Sequence, residues 1–412
     1  MNKNPFSSKT FTTTWVEHFR SLTQILTFHF INGISFFKHP FLPLYTNVGR
    51  YMTKGIYYIL KEPQSDNFGK KVFLIYDIPV YFEINTKIEN KNLKLHRVKQ
   101  YPGFLIRFQN YSGFENYLSS VFSKNSRQKL NRYKKRLELC FDISYKIYYG
   151  NISKEEYDVI FRSFHTLLTK RFQDKQIANN NLDPKEWNFY YEVVYPLILE
   201  KKASLYVIYN RETPISVRLN YYSDETIFDA ITVFDIDYNK FHLGKVSIMK
   251  MLEWAFEKNY AVFDFSKGYY DYKESWSDFK YDFEYHIYYN SNSLASFTLS
   301  KLLQLFYKGK QYLREKNINE HLHRLTYMLD NKASKPLPKF TVNDITEELM
   351  KENTEIEKIC IDQHSYLKQI VFEFLFLNSE SQKDVALFIS KNQPNTYYII
   401  GDKYKKQIII SK

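Results

Sequence analysis

The chain has 412 residues, an aromatic content of 18% and a net charge of +13; this composition excludes a disordered protein, and the length exceeds that of one ordinary domain. Its two cysteines, Cys140 and Cys360, stand in no metal-binding or redox spacing, so neither a disulfide framework nor a zinc site is predicted and a cytoplasmic location is expected. The uncharged stretch from Ser21 to Phe37 is interrupted by polar residues, so neither a signal peptide nor a transmembrane segment is predicted.

The N-terminal third of the chain predicts a mixed α/β region. A strand is expected within Lys71 to Ile84, and a helix from Gly113 to Phe122. A second helix then carries seven cations in thirteen residues: Lys124, Arg127, Lys129, Arg132, Lys134, Lys135 and Arg136. This is the densest basic run in the chain, and a strand from Phe141 to Tyr149 is predicted after it.

The positive charge is unevenly distributed. Residues 340–412 contain nine lysines against eleven Asp and Glu, so residues 1–339 carry a net charge of +15. This excess predicts an anionic ligand on the main body, which could be a nucleotide cofactor, a nucleic acid or a membrane surface. A solvated face is the alternative for the basic helix, because no nucleic-acid recognition motif accompanies it.

Capping residues mark the next two helices. Ser153 followed by Glu156 forms a capping-box signature, which predicts a helix to about residue 172. Asp183 followed by Pro184 gives an N-cap and a proline at the first helical position, so a second helix is expected to reach about residue 201.

A meander, a helix and two further strands follow. The predicted strands are 203–209, 215–222, 226–234, 261–265 and 281–289, with a helix over 245–259. Short turns join the first three strands, which predicts antiparallel pairing. Ile248, Met251 and Leu252 lie at helical spacing on one face of the helix. Because crossovers between parallel strands of one sheet are right-handed, strands 226–234 and 261–265 are predicted to be parallel neighbours in one mixed sheet.

The last quarter of the chain predicts helices, a linker and a small α/β module, over residues 291–330, 331–339 and 340–412 respectively. Pro336 and Pro338 mark the linker. The module is expected to end in a hairpin around Gly401. His321 and His323 lie in the predicted helices without acidic or cysteine ligands in motif spacing, so no metal site is expected.

Three segments, taken with the order of the elements, resemble a known family. They are the end of the basic helix, Asn131 to Glu138, the loop Tyr238 to Gly244, and Phe263 to Gly268 followed by Tyr272 and Lys273. This combination resembles the GNAT superfamily of acyltransferases, in particular its CelD-like and Fem-like subgroup. The resemblance covers residues 123–290 and implies an α/β (α+β) fold, a GNAT-type mixed sheet flanked by helices. Residues 1–122 are then an N-terminal α/β subdomain, for which a degenerate second GNAT-like half is one interpretation.

The resemblance implies acyl-CoA as the co-substrate. In the GNAT fold, the strands before and after the amphipathic helix splay apart, the acyl thioester lies between them, and the helix N-terminus binds the pyrophosphate. The residues implied for donor binding are Ile231, Thr232, Val233, Lys240, His242, Leu243, Gly244, Lys245 and Val246. The family's usual pyrophosphate signature contains more glycines than this loop, so side-chain cations are expected to compensate. An ordinary glycine before a helix is the alternative for Gly244.

Catalysis in such a site needs positioning, stabilisation of the oxyanion and a route for the proton of the amine. By resemblance, the Tyr272 phenol protonates the leaving thiolate and the Lys273 ammonium stabilises developing negative charge. Asp264, Asp229 and Asp271 are the carboxylates near enough in sequence to act as a base or to hold the acceptor amine, and Asp264 is the one predicted as catalytic. Packing and solvated positions are the alternatives for these side chains.

These expectations lead to one function and two alternatives. The leading hypothesis is an N-acyltransferase that moves an acyl group from acyl-CoA to an amine on a sugar, polysaccharide or cell-envelope precursor. The first alternative is a Fem-like transferase that takes an aminoacyl group from charged tRNA, which the basic body would suit. The second is a non-catalytic GNAT-fold protein that binds an anionic surface, with peripheral membrane contact.

Overall fold

The structure, a computed structural model, describes residues 4–20, 24–63, 68–176, 179–316, 339–345 and 355–411. Its helices are α1 (Lys9–Arg20), α2 (Phe114–Val121), α3 (Lys124–Cys140), α4 (Lys154–Lys175), α5 (Pro184–Leu199), α6 (Leu243–Glu257), α7 (Asp271–Trp276), α8 (Leu294–Glu315) and α9 (Lys368–Asn378). The strands of the larger sheet are β1 (Leu26–Phe28), β2 (Ile31–Lys38), β3 (Leu44–Asn47), β4 (Ile59–Leu60), β5 (Val72–Pro79), β6 (Leu93–Arg107), β7 (Ile143–Tyr148), β8 (Ala203–Asn210), β9 (Thr213–Tyr222), β10 (Thr226–Phe234), β11 (Val262–Lys267) and β12 (Phe279–Asn290). The smaller sheet contains β13 (Lys339–Asp344), β14 (Ile356–Ile359), β15 (Ala386–Ser390), β16 (Thr396–Ile400) and β17 (Lys405–Ser411).

The larger sheet is mixed and has the strand order β1-β2-β3-β5-β12-β6-β11-β10-β9-β8-β7, with β4 paired to β2. β10 and β11 are parallel, as are β3 and β5. β8 to β10 form the antiparallel meander that the short turns predict, and β7 pairs antiparallel with β8. The fold is therefore a mixed α/β sheet flanked by helices, as predicted.

Both predicted helix caps are confirmed. The Ser153 hydroxyl accepts a hydrogen bond from the Glu156 amide at 3.1 Å, and α4 begins directly after Ser153. Asp183 accepts from the Lys185 amide at 3.0 Å, and Pro184 is the first residue of α5. These contacts satisfy first-turn N–H groups that have no acceptor within the helix.

The predicted crossover is also confirmed. β10 and β11 are parallel neighbours, with Thr226 aligned with Val262 and Phe228 aligned with Asp264. α6 connects the two strands and begins at Leu243, two residues before the predicted start. The carboxyl ends of both strands and the N-terminus of α6 therefore lie on the same edge of the sheet.

A strand from the N-terminal part lies between two of the predicted neighbours. The fifteen-residue strand β6 pairs antiparallel with β11 on one side and with β12 on the other, so that Leu105 aligns with both Asp264 and Phe279. The sheet is therefore continuous across residue 122, where the sequence predicts a boundary between 1–122 and 123–290.

Helices cover both faces of the sheet. α1, α4 and α5 pack over one hydrophobic core, and α2, α3 and α6 pack over the other. α8 packs on β5, β6 and β12. No helix in the described part of the chain is both long enough and apolar enough to cross a membrane.

The smaller sheet and α9 form the C-terminal part. The predicted hairpin is present as β16 and β17. α9 contacts α3 and the turn before α6: Arg136 donates to the Phe376 carbonyl, and the Phe141 and Phe372 rings lie 4.8 Å apart. The linker prolines, the two histidines and the end of the predicted 291–330 helices fall outside the described residues.

Candidate functional site

A cleft of about 300 Å³ opens where β10 and β11 separate. Their parallel register covers Thr226 to Phe228, and beyond it both strands are irregular. β10 shifts register against β9 between Asp229 and Ile231, and β11 shifts against β6 between Asp264 and Lys267. Such bulges bend a strand away from its neighbour. The cleft therefore lies at the carboxyl ends of the strands, where the sequence predicts a donor site.

Four groups of side chains line the cleft. β10 contributes Asp229, Ala230, Thr232 and Phe234; α6 and the preceding turn contribute Asn239, His242, Gly244, Lys245 and Ile248. β11 and the α7 region contribute Phe265, Tyr272, Lys273 and Trp276, while Arg171 comes from α4 and Arg218 from β9. The lining thus combines an apolar wall with cations at both ends, as expected of a site for an anionic ligand with an apolar part.

Strand alternation divides the predicted β10 residues. Thr232 lines the cleft, whereas Ile231 and Val233 are buried in the core on the opposite face, together with helices α4 and α5. Successive side chains of a strand point to opposite faces, so all three could not line one cleft. The expectation that the side chains of Ile231 and Val233 line the thioester is corrected; only their backbone groups remain available to it.

The predicted residues at the start of α6 are divided in a similar way. His242, Gly244 and Lys245 line the cleft, but the Leu243 and Val246 side chains are fully buried in the core. Their first-turn amides still lie at the helix N-terminus, where anions are stabilised. The predicted contribution of Leu243 and Val246 is therefore limited to the backbone.

Lys240 lies outside the cleft lining, contrary to its predicted role. Its Nζ is 2.6 Å from Glu373 Oε1 of α9, so its charge is compensated by the C-terminal part. The sequence signal was the position of Lys240 in the loop before α6, and no local pattern indicates a partner 133 positions later.

Gly244 is fixed by a close contact. A Cβ at this position would lie 2.7 Å from the Phe234 ring, closer than two carbons can pack. Any other residue would push Phe234, which itself lines the cleft under the Arg171 guanidinium at 4.6 Å. The glycine therefore preserves the shape of the cleft beside the helix N-terminus.

Cations converge on the mouth of the cleft at His242. Burial lowers the pKa of His242, and the neighbouring charges of Lys245, Arg132 and Lys240 lower it further. The Tyr133 ring lies 4.1 Å from the imidazole. The basic helix α3 thus contributes Arg132 and Tyr133 to the same mouth, and an anionic ligand would relieve the mutual repulsion of these groups.

Lys273 is buried at the other end of the cleft. Its Nζ donates hydrogen bonds to the Lys267 carbonyl at 2.9 Å and to the Ser266 carbonyl at 3.2 Å. Burial lowers the pKa of Lys273 to about 8. Tyr272 beside it also lines the cleft, and desolvation raises the pKa of its phenol, which therefore keeps its proton at neutral pH. Both predicted catalytic side chains reach the cleft.

Asp264 is buried outside the cleft lining. It accepts hydrogen bonds from the Tyr281 hydroxyl at 2.6 Å, the Tyr81 hydroxyl at 2.9 Å and the Ser266 amide at 2.7 Å. Burial raises its pKa to about 6. The Ser266 amide donates to Asp264, and the Ser266 carbonyl accepts a hydrogen bond from Lys273. Asp264 therefore contacts Lys273 indirectly, through the backbone of Ser266. The Asp264 side chain therefore does not line the cleft, although it is predicted as a base or as a group that holds the acceptor amine.

A buried ion pair at the base of the cleft was not predicted. Arg218 Nη1 lies 2.8 Å from Asp229 Oδ1, and the two side chains are 1% and 5% exposed. Thr232 Oγ1 donates to the same Asp229 oxygen at 3.0 Å. Asp229 is one of the carboxylates that the sequence predicts as a base or as a group that holds the acceptor amine, whereas Arg218 is not predicted. The sequence does contain a signal for this ion pair: two apolar strands, joined by a three-residue turn, each contain one charged residue of opposite sign.

A lysine from the N-terminal part approaches the same centre. Burial lowers the pKa of Lys54 to about 8, and its charge interacts with Lys267, Asp77 and Asp229. Lys267 Nζ is 2.5 Å from Asp77 Oδ1. Residues before 122 therefore contribute charge to the site. Among the described residues, no three His, Cys, Asp or Glu side chains cluster as metal ligands.

The acetyltransferase (GNAT) domain family matches residues 124–274. Among solved structures, the chain is similar to FemX, with 10% identity, coverage of 69% of this chain and 92% of that chain, and a TM-score of 0.48. The chain is also similar to a conserved protein of unknown function from Bacteroides thetaiotaomicron VPI-5482, with 10% identity, coverage of 69% of this chain and 91% of that chain, and a TM-score of 0.45. For L-PGS from Bacillus licheniformis, the identity is 11%, the match covers 71% of this chain and 92% of that chain, and the TM-score is 0.39. No curated protein matches the sequence. At these identities the likeness concerns the fold alone.

Proposed function

We propose that this protein is an N-acyltransferase, and the match of residues 124–274 to the acetyltransferase (GNAT) domain family supports the proposal. The protein transfers an acyl group from acyl-CoA to an amine on a sugar, polysaccharide or cell-envelope precursor. The observation that carries the proposal is the cleft between the diverging strands β10 and β11, which has the N-terminus of α6 and a group of cations at its mouth.

The donor would lie along the cleft with its charged end at the mouth. The first-turn amides of α6 and the ammonium of Lys245 suit the pyrophosphate. Thr232, Phe234 and Ile248 provide walls for the pantetheine and acyl parts. The thioester would then lie at the base of the cleft, between Asp229 and Lys273.

The reaction needs one bond to form and one to break. The lone pair of the acceptor amine attacks the thioester carbon, and the C–S bond breaks when the tetrahedral oxyanion collapses. The Lys273 ammonium would stabilise that oxyanion, and the Tyr272 phenol would donate a proton to the leaving thiolate. Asp229, held by Arg218, is the cleft carboxylate suited to receive the proton that the amine loses.

Thermal-shift measurements with coenzyme A, acetyl-CoA and longer acyl-CoAs test this function. A ligand at 100 times its dissociation constant stabilises the folded state by about 2.7 kcal/mol, which corresponds to roughly 3–5 °C for a folding unit of about 300–400 residues. A shift that is reduced in Lys245→Ala and retained in Lys250→Ala, whose lysine is paired with Glu253 on the outer side of α6, would support the site. The absence of a shift with all of these ligands would reject acyl-CoA as the donor.

A second candidate is a transferase that uses aminoacyl-tRNA. It is favoured by one observation: α3 carries seven cations and contributes Arg132 to the mouth of the cleft. A polyanion could follow this helix, whereas coenzyme A needs only the mouth. Binding of charged tRNA that weakens steeply with salt, without affinity for coenzyme A, would select this candidate.

A further inference from the structure

The helix α8 has one face packed on the sheet and one apolar face in solvent. Ser296, Ser300 and Tyr307 are buried on the packed side. On the opposite side, Leu294 is 81% exposed, and Leu305 and Phe306 are 65% and 62% exposed. Large apolar side chains exposed along three turns of one helix mark an interaction surface, because single-domain surfaces rarely leave such a patch uncovered.

A second apolar segment lies beside the first turn of α8. The loop between β2 and β3 carries Phe41, which is 90% exposed. The Pro43 carbonyl accepts a hydrogen bond from the Val72 amide at 2.8 Å, and the Lys71 carbonyl accepts one from Ser296 Oγ at 3.0 Å. The loop and the start of α8 are therefore linked through the same two residues of β5 and its entry. The apolar surface thus combines segments 250 positions apart in sequence.

The charges on α8 are almost all positive. Lys301 and Lys308 follow Leu294 at intervals of seven residues and lie on the same helix face as Leu305. Lys310 adds a further cation, whereas the Arg314 guanidinium packs on the Tyr101 ring of β6 at 4.1 Å. The helix contains a single acidic residue, at its last position. Long lysine side chains on an apolar face can lie along it and extend their ammonium groups outwards. An apolar face with cations at its borders is complementary to an anionic lipid surface.

We propose that α8 and the 39–43 loop form a docking surface for an anionic lipid bilayer. The leucine and phenylalanine side chains enter the boundary between headgroups and acyl chains, and Lys301 and Lys308 pair with the lipid phosphates. At its far end, Gln311 of α8 donates a hydrogen bond to the Tyr269 hydroxyl at 2.9 Å. The packed side of α8, on which Gln311 is buried, therefore contacts the segment that carries Tyr272 and Lys273. The proposal does not depend on the identity of the acyl donor.

Co-sedimentation of the full chain with vesicles tests the proposal. The wild-type protein should bind phosphatidylglycerol-containing vesicles and bind phosphatidylcholine vesicles weakly. Leu305→Ser combined with Phe306→Ser should lower partitioning at least about tenfold. Lys301→Gln combined with Lys308→Gln should lower binding to the anionic vesicles by about fivefold per charge. Val159→Ser and Leu199→Ser, half-exposed apolar residues on α4 and α5, are the matched controls and should bind like the wild type.

Three results would overturn the proposal. The first is undiminished vesicle binding by the Leu305 and Phe306 variant, which would assign binding to another surface such as α3. The second is a wild-type dimer in analytical ultracentrifugation that this variant dissociates, which would assign the face to a second copy. The third is a failure of the wild type to bind the phosphatidylglycerol-containing vesicles. Coenzyme A thermal shifts on the same samples distinguish failure of docking from failure of the proposed enzyme function.

Discussion

Replacement of Lys273 by methionine is the sharpest test of the catalytic assignment. An ammonium has three N–H donors, and two of those of Lys273 are used by the Ser266 and Lys267 carbonyls. One donor is left for an oxyanion in the cleft. Loss of a single oxyanion donor lowers turnover by about 10²–10³-fold. Lys273→Met should therefore lower kcat by at least roughly 10²-fold, with little change in donor affinity, because the interaction is made only in the transition state.

The buried charge also predicts a stability effect with a defined sign. The pKa of Lys273 falls from an ordinary 10.5 to about 8 in the folded protein, a cost of roughly 3 kcal/mol at neutral pH. Between pH 8 and 10.5 the unfolded state binds more protons than the folded state, so the free energy of unfolding rises with pH. Lys273→Met should reduce this rise, measured by urea unfolding across the window. It should also leave stability at pH 7 close to that of the wild type, because the lost hydrogen bonds offset the removed cost.

Steady-state kinetics and coenzyme A binding together distinguish three roles of Lys273. A fall in kcat at unchanged donor Kd supports transition-state stabilisation. A rise in KM with kcat held would indicate a ground-state contact with the cofactor phosphates. No change in either constant would refute the reasoning and assign Lys273 to a structural role. Lys250→Met is the control, because Lys250 is paired with Glu253 on the outer side of α6.

Three further predictions concern the neighbouring residues. Lys245→Ala should weaken coenzyme A binding about 5- to 30-fold, as expected for a charge-assisted contact of about 1–2 kcal/mol, and isothermal titration checks this. Asp264→Asn should lower kcat without removing activity, and an unchanged kcat would contradict a positioning role. Because the pKa of the Asp264 carboxyl is raised to about 6 in the folded protein, the free energy of unfolding falls as the pH rises from about 4 to 6. The variant should show a smaller fall in a pH series of urea unfolding. Arg218→Met should destabilise the fold by about 3–5 kcal/mol because it leaves the Asp229 carboxylate buried and unpaired, and adding Asp229→Asn should recover part of that loss in chemical denaturation.

The sequence predicts those features that local signals determine. Ser153 and Asp183 mark helix starts because a short polar side chain can satisfy first-turn amides regardless of the rest of the fold. The parallel pairing of β10 and β11 follows from an amphipathic helix between two apolar strands and from the handedness of crossovers. The edge of the sheet that carries the cleft follows from the same argument, so Thr232, Gly244 and Lys245 could be located from the sequence.

Features that depend on long-range packing could not be predicted in this way. The strand β6 lies between β11 and β12, which are far from it in sequence. The hydrophobic periodicity of a strand does not indicate which other strand it pairs with. Asp264 accepts a hydrogen bond from Tyr81, which is 183 positions away. The pairing of Lys240 with Glu373 requires α9 to dock on the turn before α6. In each case, the local pattern gives the residue type correctly, and a distant partner decides its role.

The mouth of the cleft explains how a glycine-poor loop could still bind a phosphate group. Several glycines let backbone amides surround a pyrophosphate without side-chain charge. Here only Gly244 is present at the helix start, and it is required by the contact with Phe234. The compensating charge comes from Lys245 on α6 and from Arg132 on α3, and both lower the pKa of His242 between them. Charge supplied by side chains from two helices is less directional than a backbone cradle. Such a mouth would be compatible with either proposed donor, coenzyme A or charged tRNA.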